Sequence, residues 1–237
     1  MAGWADSKGR LVFAGHLFVA RLPAGEALAL VVPAETADAL LKRLRLYILR
    51  AKAQATLLDS PLAGLIGPPG QSGDSQTVRL HGQDERHLLV GAATPTGAIT
   101  SPHSAWQLAN IRAGLPVITA ATTGEFVPQM VNLDLIGGIS FTKGCYTGQE
   151  IVARMKYLGR VKRRMLRFGT ATSPPPPGAA LYAGRGPVGQ VVTSAPAESG
   201  SEFLAVVVLD DLPGPFFLDE ARTLPAHRLE LPYEIPA

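Results

Sequence analysis

The stretch FTKGCYTGQEI, residues 141–151, contains the single cysteine of this 237-residue chain. Within it, TGQE fits the capping box, in which Thr147 would cap a helix and Glu150 would return a hydrogen bond to the cap. Three residues then share one apolar helix face at spacings of four and three: Ile151, Met155 and Leu158. The stretch therefore predicts a turn that leads into a helix, with Cys145 two residues before the cap.

The position of Cys145 predicts a reactive thiol. A helix N-terminus and a nearby cation favour the thiolate form of cysteine, and Lys143 lies two residues away. Gly144 and Gly148 permit a close backbone approach and leave N–H groups open to an anionic ligand. The alternative is a buried structural cysteine in a tight turn. No metal site is predicted, because there is no second cysteine and the histidines lie far away in sequence.

The overall composition is that of a globular protein. Hydrophobic residues make up 46% of the chain and charged residues 17%, which is enough to bury a core. A single cysteine cannot form an internal disulfide, so nothing indicates an oxidising compartment. The apolar run at residues 11–20 is interrupted by His16 and followed by a Pro-Gly turn signal, which favours a strand over a signal peptide. We therefore expect a soluble cytoplasmic protein without membrane contact.

Charge is distributed unevenly along the chain. Residues 151–197 contain no Asp or Glu. The same window carries these cations: Arg154, Lys156, Arg160, Lys162, Arg163, Arg164, Arg167 and Arg185. Such a local field attracts polyanions, for example nucleic acid or a polycarboxylate. A solvated helix end followed by a basic strand is the alternative interpretation.

The first part of the chain mixes strand and helix patterns. Apolar runs between turn signals predict strands at residues 11–22, 27–32, 51–59, 62–68 and 86–93. Helical spacing of apolar residues predicts a helix at about residues 33–46. Residues 104–113 also look helical and stop at Gly114 shortly before a proline, which is a common stop signal. A polar loop rich in Gly, Pro and Ser is predicted at 68–76.

Four consecutive prolines mark a change in the pattern. The segment SPPPPG, residues 173–178, predicts a stiff extended connector. Short strands separated by Gly and Pro turns follow it, which favours a small antiparallel barrel or sandwich. The predicted class is therefore α+β, with an α+β region at 1–172, the connector at 173–178 and a C-terminal β-barrel at 179–237.

Several stretches together resemble the YgfZ family of folate-binding proteins, which is related to the aminomethyltransferase (GcvT, or T-protein) of the glycine cleavage system. The resemblance is dense in WQLANIRAGLPVI (106–118), FVPQMVNLDLIGGISFTKGCYTGQEIVAR (126–154) and YLGRVKRRM (157–165). It extends more weakly to KGRL near the start and to LAVVVLDD and LPYEI near the end. The octapeptide KGCYTGQE is the signature of that family.

The resemblance implies both a fold and a function. The fold would be a GcvT-like folate-binding module followed by a barrel, around a channel that binds tetrahydrofolate or a derivative. The function would be assembly or maintenance of iron–sulfur clusters, with transient cluster contact and with clients such as tRNA methylthiotransferases. The cysteine of the family maps to Cys145 and its motif lysine to Lys143, which we expect to carry the chemistry. The rest of the motif maps to Gly144, Tyr146, Thr147, Gly148, Gln149 and Glu150.

Residues outside the motif are candidates for folate contacts, together with Tyr146, Gln149 and Glu150 inside it. Arg112 is predicted to pair with the glutamate tail of a folate, because a guanidinium group suits carboxylates; a surface charge is the alternative. Gln129 and Asn132 are predicted to hydrogen-bond the edge of a pterin. Their alternative role is to bond the loop backbone.

The resemblance also shows two departures. Only seven residues precede Lys8, where the family has a longer N-terminal segment. Either the start is misassigned, the family module is truncated, in which case part of the folate site would be missing, or this lineage does without the segment. Aminomethyltransferase relatives keep a glutamate where this chain has Arg112.

Three functions follow from these observations. The preferred one is a tetrahydrofolate-binding accessory protein for iron–sulfur enzymes, with Cys145 as a redox-active thiol or transient ligand and without conventional enzyme activity. The second is a tetrahydrofolate-dependent aminomethyl transferase, against which both departures count. The third is a tRNA-binding module that uses the basic window and binds less tightly at high salt.

Overall fold

The computed structural model describes residues 1–22, 25–58, 60–69, 76–80, 85–91, 95–157 and 161–236. These residues form three α-helices and twelve strands, which confirms the predicted α+β class. The chain divides into two compact units, one made of Met1–Ala14 with Ser101–Ala237 and the other of Gly15–Thr100. Among the helices of the described residues, none combines the length and apolarity that crossing a bilayer requires.

The unit Gly15–Thr100 contains a hairpin, a helix and a small sheet. Strand β2 (Leu11–Leu22), which begins in the other unit, pairs antiparallel with β3 (Gly25–Val31), and α1 (Ala34–Tyr47) follows. Strands β4 (Leu62–Ile66) and β5 (Gln76–Arg79) flank the fully buried β6 (Arg86–Val90).

One strand predicted in this region is wrong. Residues 51–58 form no strand, are mostly exposed and are rich in Ala, Lys and Gln, which are poor strand formers. Residue 59 and most of the predicted loop at 68–76 lie outside the described residues.

The other unit contains the predicted barrel. Six strands close into an antiparallel barrel in the order β10-β7-β12-β11-β8-β9. They are β7 (Arg163–Thr170), β8 (Ala180–Ala183), β9 (Gly186–Pro196), β10 (Ser201–Val208), β11 (Phe216–Phe217) and β12 (Pro225–Leu229). Phe168 stacks on Phe203 inside the barrel, with ring centroids 5.4 Å apart, and meets Phe216 edge-on.

The barrel begins earlier in the sequence than predicted. β7 precedes the proline-rich segment at 173–178, yet it pairs with β10 from Arg163 opposite Val208 to Thr170 opposite Ser201. It also pairs with β12 on its other edge. The prolines therefore link two strands of the barrel instead of marking a boundary in front of it.

A second core lies against the outside of the barrel. Helix α2 (His103–Arg112) packs on β9 and β10, and strand β1 (Ala2–Ala5) lies next to β2. This core contains Leu11, Ile111, Leu115, Val131, Leu133, Met165, Val192 and Leu204. The predicted helix at 104–113 is confirmed, and the chain leaves it at Gly114 with φ +65°. A Cβ atom there would lie 2.6 Å from Oη of Tyr233, so the position requires glycine.

Candidate functional site

The loop at 141–148 leads into helix α3 (Gln149–Tyr157), as the sequence predicts. The predicted capping box of Thr147 and Glu150 is not formed. Instead, the backbone amide of Tyr146 donates to Oε1 of Gln149 at 3.3 Å, and the amide of Gln149 donates to the carbonyl of Tyr146 at 3.1 Å. The side chain that bonds back to the turn is therefore Gln149 and not Glu150, because the helix begins at Gln149. Leu158, predicted for the apolar face, lies outside the described residues.

Cys145 is exposed on this loop. Gly144 beside it is exposed too, and a Cβ atom there would meet nothing within 4 Å. Lys143 is held close by, because its Nζ lies 4.5 Å from the centroid of the half-buried Tyr146 ring. The exposure of Cys145 rules out the alternative of a buried packing cysteine.

The end of the loop is held by the N-terminal turn that contains KGR. Gly148 has φ +80°, and a Cβ atom on it would lie 2.4 Å from the carbonyl oxygen of Asp6. In turn, Gly9 has φ +70°, and its Cβ atom would lie 2.7 Å from Cβ of Ile151. The amide of Gly9 donates to the carbonyl of Asp6 at 3.0 Å, which closes the N-terminal turn. Two glycines thus let the two turns meet backbone to backbone and fix the start of α3.

Gln129 and Asn132 are both buried, with exposed fractions of 1% and 0%. Nε2 of Gln129 donates to the carbonyl of Val152 at 2.6 Å, and Nδ2 of Asn132 donates to the carbonyl of Met165 at 2.7 Å. Their amide nitrogens therefore bond backbone, which is the alternative role considered from the sequence. Oε1 of Gln129 and Oδ1 of Asn132 are buried and accept no hydrogen bond from the residues that the structure describes. The pterin contact of these side chains stays a prediction.

Asn132 also connects to the C-terminal segment. It has φ +60°, a conformation that asparagine tolerates better than most residues, and its Nδ2 lies 3.3 Å from Oη of Tyr233. Oη of Tyr233 donates to the carbonyl of Gly114 at 2.7 Å. Burial raises the pKa of Tyr233 to about 12. The tyrosine therefore ties the end of α2 to the loop that contains Asn132.

Arg112 lies in an ion pair with a residue that the sequence did not single out. Its Nε and Nη2 donate to Oε1 of Glu202 at 3.0 and 2.8 Å, while Nη2 of Arg167 lies 2.7 Å from Oε2. Burial acts to raise the pKa of Glu202, but the two guanidinium groups outweigh burial and lower it. Pairing of Arg112 with a folate tail stays a prediction, and no sequence signal pointed to Glu202, which is 90 residues away.

A second buried ion pair holds the loop of Gln129 on the barrel. Nη1 and Nη2 of Arg164 donate to the two carboxylate oxygens of Asp134 at 2.7 and 3.0 Å. Nη1 also donates to the carbonyl of Gln129 at 2.8 Å. Such a bidentate contact fixes orientation as well as distance. Arg164 was visible in the sequence only as one cation of the basic window.

Comparison with known proteins gives relatives of this chain. No family model matches it. The tRNA-modifying protein YgfZ of Colwellia psychrerythraea is 43% identical over 115 residues, which cover 46% of this chain and 36% of that protein. The tRNA-modifying protein YgfZ of Escherichia coli strain K12 / DH10B is 44% identical over 138 residues, which cover 55% of this chain and 42% of that protein. The chain thus matches about two fifths of the length of these curated relatives. The resemblance predicted from the sequence is confirmed: about half of this chain is similar to proteins named tRNA-modifying protein YgfZ.

Proposed function

We propose that this chain is a tetrahydrofolate-binding accessory protein for tRNA modification that serves iron–sulfur enzymes through Cys145. The observation that carries the proposal is the exposure of Cys145 on the KGCYTGQE loop of a chain whose relatives are named tRNA-modifying proteins. Thiolates are soft ligands suited to iron–sulfur chemistry. One thiolate cannot hold a cluster alone, so a client protein or a small thiol would supply the other ligands. This role places the protein in the cytoplasm, where tRNA is modified.

Two buried side chains, Gln129 against α3 and Asn132 against the barrel, fit a reduced pterin by their chemistry. The exocyclic amine and ring N–H groups of a tetrahydropterin are donors, and Oε1 of Gln129 and Oδ1 of Asn132 are acceptors without a described partner. A buried acceptor left unsatisfied costs about 1–3 kcal/mol, so a ligand that donates to both would be favoured. Because both side chains are buried, the ligand would reach them only after local opening of the surrounding loop. When bound, a tetrahydrofolate supplies one-carbon carrier or redox chemistry.

The role of Cys145 can be tested in cells that lack their own YgfZ relative. The variants would be Cys145→Ala and the control Thr142→Ala, which changes an equally exposed residue of the same loop. Methylthio-modified nucleosides in tRNA would be measured by mass spectrometry. We expect the wild type and the control to restore them and Cys145→Ala to fail, with the three proteins present at equal levels. Restoration by Cys145→Ala would refute the proposal.

Folate binding is tested separately with the purified chain. The alkylation rate of Cys145 by iodoacetamide would be measured against pH, with and without tetrahydrofolate. We expect tetrahydrofolate to change the rate, because the loop with Cys145 leads directly into α3, whose first turn carries the carbonyl that Gln129 bonds. A rate that is independent of folate, together with no heat of binding in titration calorimetry, would contradict the folate part of the proposal.

A further inference from the structure

The described cations of the basic window fall into two groups in the structure, and Arg160 lies outside the described residues. Three arginines of the window contact a carboxylate within 2.7 Å and are held in ion pairs: Arg164, Arg167 and Arg185. Three further cations, Arg154, Lys162 and Arg163, are exposed and form no ion pair with any residue that the structure describes. The structure therefore separates the cations that build the fold from those that face solvent.

Two lysines lie on or beside the loop of Cys145 and are added to the second group. Nζ of Lys156 lies 3.8 Å from the ring centroid of Phe141, and Lys143 follows Phe141 by two residues. The contact thus places the last turn of α3 beside the loop that carries Lys143. A cation over an aromatic ring is held in place and keeps its charge. We call the set Lys143, Arg154, Lys156, Lys162 and Arg163 the basic surface.

Few acidic groups oppose the basic surface. Glu150 is the sole Asp or Glu between residues 141 and 197 of the sequence. It is exposed on α3 and makes no ion pair with the part of the basic surface that the structure describes. In space, Asp210 also lies near Lys162, because the amide of the preceding Leu209 donates to the carbonyl of Lys162 at 2.9 Å. Five cations and these two acidic residues give a charge of +3. For comparison, the whole chain has a net charge of +3, so the rest of the protein is close to neutral.

We propose that the basic surface binds the phosphodiester backbone of RNA and brings it next to Cys145. This inference rests on the proposed function and names tRNA as a direct partner. The cations lie on a loop, a helix and a strand start instead of converging on one point, as they would around a single small anion. Arg154, Lys162 and Arg163 form no ion pair with a described residue, and such cations displace the counterions of a nucleic acid when they bind its phosphates, which favours binding.

The composition of the surface favours RNA over a membrane. A peripheral membrane site mixes cations with exposed large apolar side chains. Every exposed large hydrophobic residue that the structure describes lies outside 141–163. Binding to lipid would therefore have to rely on charge alone.

The test is binding of dye-labelled tRNA to the purified chain, followed by fluorescence anisotropy at several salt concentrations. If about four cations contact phosphate, the logarithm of the binding constant falls with the logarithm of salt at a slope of about −3.6. This slope predicts a loss of about 150-fold between about 50 and 200 mM salt. Lys162→Ala/Arg163→Ala should reduce the slope by about 2. The control Lys42→Ala/Arg50→Ala removes one exposed lysine and one exposed arginine from elsewhere and should leave the slope unchanged.

The outcomes separate this inference from the proposed function. No tRNA binding at low salt, or an equal change in the control variant, overturns the inference. If tRNA does not bind but the chain still restores tRNA modification in cells, the proposed function stands and the inference fails. If tRNA binds through these residues but Cys145→Ala remains active in cells, the inference stands and the proposed function fails. Binding to phosphatidylserine vesicles without binding to tRNA would assign the surface to lipid and would also overturn the inference.

Discussion

Replacing Gly148 with alanine should destabilise the protein, whereas the same change at Gly144 should not. Gly148 lies in the left-handed region with φ +80°, and its new Cβ would lie 2.4 Å from the carbonyl oxygen of Asp6. Because that oxygen belongs to the backbone of the N-terminal turn, it cannot move away as a flexible side chain would. Gly144 lies outside the left-handed region and has open space at its Cβ position.

The magnitude follows from two costs at Gly148. A left-handed conformation costs a residue with a Cβ about 1–2 kcal/mol. Overpacking that forces a backbone shift costs about 1–3 kcal/mol more. The sum of about 2–5 kcal/mol corresponds to a drop in melting temperature of about 4–20 °C for a chain of this size. For Gly144→Ala we expect a change within about 0.5 kcal/mol, as for other exposed positions.

The assay is thermal unfolding followed by circular dichroism, with urea unfolding as a second measure. Wild type, Gly148→Ala and Gly144→Ala would be compared at equal concentration. A melting temperature of Gly148→Ala within about 2 °C of the wild type would refute the close contact between the two turns. Equal destabilisation by the two variants would show that the loop tolerates no alanine, for a reason other than this contact.

The remaining predictions concern the buried polar contacts of the same unit. Glu202→Gln removes the charge that Arg112 and Arg167 share, and should cost about 1.5–3 kcal/mol in urea unfolding. The pKa of Glu202 is lower in the folded than in the unfolded protein. Its contribution to the free energy of unfolding is therefore present above the unfolded pKa and is lost as pH falls through the folded pKa. Equal acid sensitivity of the wild type and the variant would contradict this. Tyr233→Phe removes the bond to the carbonyl of Gly114 and should cost about 1–2 kcal/mol. Because the pKa of Tyr233 is raised to about 12 in the folded protein, the stability of the wild type should fall as pH rises from about 10 to 12. If ultraviolet absorbance showed this phenol to ionise near pH 10, its burial would be contradicted.

Elements defined by local patterns were predictable from the sequence. The helix at 104–113 shows a stop signal in Gly114, and β2 was predicted with the bounds that the structure shows. A stop signal and an apolar run before a turn are local signals, so they indicate these elements without reference to the rest of the chain. The strand predicted at 51–59 failed because a strand also needs a pairing partner, and the structure provides none for residues 51–58.

Features that depend on distant residues were not predictable. β7 belongs to the barrel because it pairs with β10 and β12, which follow it by tens of residues. The capping pattern is ambiguous, since Gln149 and Glu150 are both residues that can return a bond to a helix start. The contact of Gly148 with the distant Asp6 fixes where the chain turns, and Gln149 is the residue that then reaches the amide of Tyr146.

The candidate site residues also divide into features that the local sequence indicates and features that depend on distant contacts. Gln129 and Asn132 were singled out as polar residues in a loop, but their burial and their bonds to the carbonyls of Val152 and Met165 depend on packing against α3 and the barrel. Glu202 was not singled out, because its role needs both Arg112 and Arg167 beside it. Motif recognition thus located Cys145, while the contacts around it needed the structure.

The exposure of Cys145 is the feature that stability does not account for. Free cysteine is among the most buried residue types, and an exposed thiol is open to oxidation. Around it, Gly148 is locked against the N-terminal turn and Tyr146 is half-buried beneath Lys143, so the loop has defined neighbours on both sides of an exposed thiol. At an exposed position such as this one, replacing cysteine with serine or alanine costs little stability. The stability of the fold therefore does not require a cysteine here. Cys145→Ser should therefore melt within about 2 °C of the wild type and still fail to restore tRNA modification. A serine variant that restores modification would show that the loop itself, and not its sulfur, carries the function.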